Sequence, residues 1–257
     1  MARIKNKPQK PEEEMSLWDH LGELRDRVFK AVLALLVCTL AGLIFAEPVL
    51  QFIIKPYGEQ VLVTSPTEGL TNVLIVSLTL GASFAMPVIV YQLLAFVMPG
   101  LQPSEKKWIF IGVPSATVLF LLGAAFAYFV MLPPAIAFLT GIYPTVFKYQ
   151  LKLDDYVPFV LGIVFWLGVA FQMPLIIFVM AKVGIVSAGV LARQWRYAVV
   201  IIAIIAAMIT PTPDPINMSI VMAPLLILYV MSIGLAALAR RKATTPALLD
   251  PGESIKD

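Results

Sequence analysis

Side chains able to do chemistry are sparse in this sequence and fall in four places. The first is His20-Leu-Gly-Glu-Leu-Arg-Asp-Arg27, which groups Glu23, Arg25 and Arg27. A carboxylate placed there can receive a guanidinium. The same spacing also suits a solvated helix face with Glu23 paired to Arg27 at i,i+4. The second is Glu105, which follows Pro99-Gly-Leu-Gln-Pro-Ser104 and precedes Lys106-Lys107. It offers another carboxylate, or it complements the positive end of a helix starting at Pro103 or Ser104. The third is Gln172, inside an apolar run beside Pro174. An amide in hydrocarbon must find a partner, so this one faces protein or water, either for an interhelical hydrogen bond or for a functional contact. The fourth is Asp214 in Thr210-Pro-Thr-Pro-Asp-Pro215, a position that also suits the cap of a following helix.

Enzyme chemistry is poorly served. There is no P-loop, no His-Glu-x-x-His and no Gly-x-Ser-x-Gly. His20 is the single histidine and reads as a surface or interfacial residue rather than a ligand. Cys38 is the single cysteine, unable to form an intrachain disulfide or a cysteine metal cluster, and reads as a packing residue. No catalytic residue, metal or cofactor is expected. The net charge of +3 is too small to argue for nucleic acid.

The elements that must position these residues follow from the charge pattern. Of the 257 residues 60% are hydrophobic and 14% charged, against about 25% charged in soluble domains. Asp, Glu, Lys and Arg are absent from 31–46, 69–104, 108–147, 156–181, 197–213 and 215–239. These runs are apolar on every side, which fits spanning helices and not the alternating strands of a barrel. The expected architecture is an all-α integral membrane protein forming a single membrane domain. Its spans fall near 28–47, 70–98, 108–131, 157–181, 197–210 and 216–238. The fifth is too short to cross a hydrocarbon core of about 30 Å at 1.5 Å per residue. Prolines 87, 114, 158, 174 and 224 fall in or near spans and predict a kinked bundle with a concave side.

Residues 1–15 read as a flexible arm and 239–257 as a tail. Residues 16–27 read as an amphipathic interfacial helix, with Ser16 as its cap and Leu17, Trp18, Leu21 and Leu24 on one face. A cleaved signal peptide is not expected. Residues 132–156 read as a structured cap between spans, with aromatic anchors. Sixteen of the 19 basic residues lie in the N-terminal region, the 99–108 and 182–196 loops and the C-terminal tail. The positive-inside rule therefore places both termini in the cytoplasm, an orientation compatible with an even number of spans.

At this level of detail the sequence resembles the TatC family, the multi-spanning receptor subunit of twin-arginine protein translocases. The resemblance runs from residue 18 to about 242. It is carried by the motif at 20–27, Ser65-Pro-Thr-Glu68, Met86-Pro-Val-Ile-Val-Tyr-Gln92 and Phe96-Val-Met-Pro-Gly-Leu101 with Glu105. Phe126-Ala-Tyr-Phe129, Leu132-Pro133, Phe171-Gln-Met-Pro174 and Ile209-Thr-Pro-Thr-Pro-Asp214 complete it.

The resemblance implies six spans, the fifth and sixth short, in the cytoplasmic membrane of a prokaryote. It also implies binding of twin-arginine signal peptides on folded cargo, with Glu23 and Glu105 as receptor carboxylates and Arg25 and Phe96 beside them. The implied partners are TatA/TatB-type single-span subunits, the lipid bilayer and further copies within a larger complex, with transport driven by the proton-motive force. Gln172 and Asp214 would serve as intramembrane polar or partner contacts. Two departures stand out. Gln172 occupies a position that often carries Glu in the family, and an amide cannot titrate. Leu228-Tyr-Val230 stands where many relatives carry an acidic residue. The competing readings are a small-solute secondary transporter, disfavoured by the scarcity of midplane ion ligands and the lack of an internal repeat, and a structural scaffold.

Overall fold

The computed structural model describes residues 17–58, 61–97, 107–141, 143, 150–210 and 214–239. Among these, regular structure is helical apart from one isolated bridge between Leu62 and Lys152. Five helical stretches are long and apolar enough to cross a membrane, and a sixth apolar helix is shorter.

Helix α1 (Leu17–Ile54) has 38 residues. At 1.5 Å per residue it rises about 57 Å, nearly twice a hydrocarbon core, so one end stands clear of the bilayer. That end holds Glu23, Arg25, Asp26, Arg27 and Lys30. The stretch expected to be amphipathic and to lead into the first span is continuous with it from Leu17 onward. Leu24 to Lys30 contains no proline or glycine that would let the chain turn, so the first turns continue straight into the span. At its other end Pro56 sits in a 3₁₀ turn (Lys55–Tyr57). Gly58, with φ of 76°, closes the turn by donating its N–H to Lys55 O at 3.1 Å.

Helix α2 (Pro66–Val97) returns antiparallel to α1. Proline opens it, where the missing N–H costs nothing. Glu68 in its first turn accepts the Thr64 backbone N–H at 2.9 Å and the Thr64 hydroxyl. The Ser65-Pro-Thr-Glu68 motif is thus a helix start, with the carboxylate reaching one residue further back than in a standard capping box. Helices α1 and α2 form the most extensive helix pair, and small residues set their spacing. A Cβ at Gly42 would sit 2.6 Å from Ser77 O, and one at Gly81 would sit 2.5 Å from Thr39 Cα. Thr39 and Ser77 satisfy their hydroxyls on carbonyls of their own helices, Leu35 O and Val73 O. The backbones can therefore approach without orphaned donors, as small-residue helix contacts in lipid require.

Helix α3 (Lys107–Phe126) runs through a π-helical turn (Ala127–Met131) into α4 (Leu132–Gly141). The third span was expected to end at 131. Instead the helical path continues for ten more residues. Pro133 and Pro134, which cannot donate a helical N–H, follow this wide turn directly.

The fourth charge-free run forms α5 (Leu153–Ala170) and α6 (Met173–Val183), parted at Phe171 and Gln172. Pro174 explains the break. Its ring clashes with the carbonyl four residues back, at Ala170, where α5 ends. Helix α7 (Ala188–Arg193) starts on a Ser187 cap that accepts the Val190 N–H, and it leads into α8 (Trp195–Ile209). With 15 residues α8 rises about 22 Å, short of a full crossing as expected.

Helix α9 (Pro215–Ala239) has 25 residues and is long enough to span, so of the two helices expected to be short only α8 is. Asp214 caps it, accepting from Ile216 N at 3.3 Å and Asn217 N at 3.0 Å.

The main core lies where α2, the π turn, α5, α8 and α9 meet. Val76, Met131, Val157, Leu167, Ile202 and Leu225 are fully buried there. Two tyrosines tie the C-terminal end of α1 onto this core. Tyr156 donates to Ile53 O at 2.8 Å and Tyr128 to Phe52 O at 2.7 Å. Nearby, Leu62 N–H donates to Leu151 O, Leu153 N–H donates to Leu62 O, and the buried Asn72 amide donates to Asp154. This places the 61–68 segment against the start of α5.

Candidate functional site

Because α1 and α2 are antiparallel, the polar start of α1 lies beside the end of α2. Three contacts across or along that seam bring the motif residues together. The His20 and Phe96 rings stack with centroids 4.4 Å apart and planes 20° from parallel. Arg27 donates to Glu23 Oε1 from Nε at 3.3 Å and from Nη2 at 2.8 Å, and both side chains are half-buried, at 23% exposure. Arg27 Nη1 also reaches Gln92 Oε1 on α2 at 3.4 Å. The result is a carboxylate held at the helix seam, flanked by an aromatic pair and an amide. Such a set has the chemistry to receive guanidinium groups, which match carboxylates in fork geometry and stack on aromatic faces.

The residues anticipated from the sequence do not all gather here. Glu23 and Phe96 do. The i,i+4 pairing of Glu23 with Arg27 is also present. Arg25 does not join them: two residues from Glu23 is about 200° around a helix, so it points away. Its side chain is 81% exposed and pairs with Asp26 at 2.9 Å. Glu105 lies outside the described residues. Gln92 and the His20–Phe96 stack were not anticipated. The available signal for Gln92 was an amide near the end of a charge-free run.

Gln172 sits apart from this seam, at the joint between α5 and α6. It is 4% exposed and donates from Nε2 to Ala116 O on α3 at 2.8 Å, while its Oε1 has no hydrogen-bond partner. It thus faces protein rather than lipid. Beside it an apolar cleft of about 340 Å³ opens between α2 and α6, lined by Met86, Val90, Leu94, Val169, Leu175, Met180 and neighbouring apolar side chains.

These surroundings set a prediction. Gln172→Leu removes one hydrogen bond and one orphaned oxygen together, so its melting temperature in detergent should stay within a few degrees of wild type, a change of about 1 kcal/mol or less. Gln172→Glu places a carboxyl among apolar side chains and against a carbonyl oxygen. It should melt several degrees lower than the leucine variant at pH 8. Equal melting temperatures for the two variants at pH 8 would show that water reaches the site.

Asp214 is a helix cap by geometry. Among the described residues no cluster of three His, Cys, Asp or Glu could hold a metal.

The fold and the site together define a multi-pass α-helical membrane protein whose polar chemistry sits at helix ends and joints. The family model for Sec-independent protein translocase protein (TatC) matches residues 19–224. The chain is 39% identical to Sec-independent protein translocase protein TatC of Aquifex aeolicus over 236 residues, covering 89% of this chain and 97% of that protein. It is 36% identical to the chloroplastic protein TATC of Arabidopsis thaliana, over 85% of this chain and 65% of the plant protein, so it spans about two thirds of that relative. Among solved structures, the crystal structure of the twin arginine translocase receptor TatC superposes with a TM-score of 0.73 at 37% identity, covering 86% of this chain and all of that one. The chain belongs to the TatC family of protein translocase components.

Proposed function

We propose that this protein is the receptor subunit of a twin-arginine translocase. It binds the twin-arginine signal peptides of folded cargo at the joined ends of α1 and α2, on the cytoplasmic face of a prokaryotic plasma membrane. It then assembles with TatA/TatB-type single-span subunits and further copies of itself within the bilayer, and transport draws on the proton-motive force. The observation that carries this reading is Glu23, a half-buried carboxylate placed beside the His20–Phe96 stack and within reach of guanidinium donors. Glu105, proposed as the second carboxylate, belongs to the segment that follows α2. Gln172 and Asp214 are proposed contacts for partner helices. Binding of a labelled twin-arginine peptide, with a twin-lysine peptide as control, tests the reading: preference for arginine supports it, and equal binding contradicts it.

The orientation is tested separately. The distribution of lysine and arginine supports a cytoplasmic position for residues 104 and 190 and an outer position for residues near 60 and 150. Reporter fusions at these four positions should divide in that way. An outward-facing residue 104 would move Glu105 away from cargo and overturn the proposed surface.

A further inference from the structure

Glu23 is already occupied by a guanidinium from its own chain. Arg27 places two donors on it, and both fall on Oε1 rather than one on each oxygen. The two-point fork that makes carboxylate–guanidinium pairs strong is therefore not completed. The third arm of the same guanidinium already leans on Gln92 Oε1 of the neighbouring helix at 3.4 Å. Arg27 thus has a second acceptor within reach if Glu23 is taken by another ligand.

We infer that Arg27 is a built-in placeholder for a cargo arginine. It covers Glu23 in the empty receptor and moves toward Gln92 when a peptide guanidinium completes the fork on the carboxylate. The inference rests on the receptor reading above. Its physical logic has two parts. A half-buried carboxylate at a helix seam is costly without a counter-charge, so an internal cation keeps the empty site stable. An incoming ligand must then compete with that cation, which lowers the apparent affinity by the fraction of time the carboxylate is free. A lysine places a single ammonium and cannot form the fork, so it competes with Arg27 less well than an arginine does. The internal pair lowers both affinities by the same fraction, so the preference for arginine comes from the fork itself and the pair sets the threshold a cargo must exceed.

The test measures the affinity of a fluorescent twin-arginine peptide for the full-length protein in nanodiscs, alongside a twin-lysine peptide. With the internal competitor removed, Arg27→Gln should bind the arginine peptide about fivefold tighter, the scale of releasing a partly screened pair. Its binding of the lysine peptide should tighten by the same factor, leaving the preference for arginine unchanged. Glu23→Ala should bind more weakly than wild type, and Glu23→Ala/Arg27→Gln should gain nothing over Glu23→Ala. If Arg27→Gln binds equally or more weakly while Glu23→Ala still loses affinity, the placeholder is wrong and the receptor site stands. If Glu23→Ala binds like wild type, the receptor reading fails and this inference fails with it. Should Arg27→Gln not fold, Arg27→Lys carries the same test. A single ammonium cannot place two donors on Glu23 and a third on Gln92 as the guanidinium does, so this variant should also bind the arginine peptide tighter, and no tightening overturns the proposal.

Discussion

Replacing Glu23 by alanine should lower the affinity for a twin-arginine peptide by about tenfold, which corresponds to about 1.4 kcal/mol. The size follows from the environment of the carboxylate. Fully exposed ion pairs contribute about 0–1 kcal/mol, whereas charge-assisted hydrogen bonds shielded from water contribute about 1.5–3 kcal/mol. Glu23 lies between these limits, with its side chain 23% exposed against the seam. The loss should shrink as salt is added, because the partly exposed pair is screened. Arg25→Ala is the informative control. Its guanidinium faces solvent and pairs with Asp26, so binding should change by less than about twofold, as for most exposed pairs. A larger effect from Arg25 than from Glu23 would move the site to the opposite face of α1. Glu105→Ala is expected to match Glu23→Ala in direction and size, since each carboxylate is assigned one arginine.

Gly81→Val should produce the second large effect, this time on the fold. The α1–α2 seam has no room for a side chain at that position: a Cβ would meet the Thr39 backbone, which cannot move aside as a flexible side chain would. Overpacking of this kind costs about 1–3 kcal/mol, enough to lower the melting temperature in detergent by several degrees. Gly69→Ala in the same helix is the matched control, because nothing lies within 4 Å of a Cβ there. It should be neutral or slightly stabilising, alanine being the better helix former. The seam also sets the register that brings His20 to Phe96 and Arg27 to Gln92. Gly81→Val should therefore weaken peptide binding even where the protein remains folded. A variant with unchanged melting temperature and unchanged binding would show that the seam is looser than its backbone contacts imply.

What was legible in the sequence divides along physical lines. Charges in a membrane protein collect at helix ends, so the charge-free runs located the long helices and the short α8 without any knowledge of packing. Local chemistry was legible too. Asp214 caps α9 and Glu23 pairs with Arg27, because both contacts join residues within four positions of each other. Continuity between elements was harder to read. Amphipathic spacing over 16–27 does not say whether the helix bends before its span. The third span reads as ending near 131, whereas a π turn carries the helical path on through Pro133 and Pro134. Contacts between distant positions were not legible at all. The stack of His20 on Phe96 and the reach of Arg27 to Gln92 depend on the α1–α2 register, which Gly42 and Gly81 set through close backbone approach. Arg25 was linked to the site by motif alone, and its position on the helix turns it away.

Photo-crosslinking from position 96 shows whether the joined ends of α1 and α2 receive the arginine pair of a signal peptide. A photo-reactive phenylalanine analogue replaces Phe96 in the full-length protein in native membranes, and a folded precursor with a twin-arginine signal peptide is added from the cytoplasmic side. A crosslink to the signal peptide is predicted, lost when the arginine pair is changed to lysine and strongly reduced in Glu23→Ala. A crosslink of equal yield with the twin-lysine precursor, or none from position 96 while a probe at Val63 captures the peptide, would contradict the account.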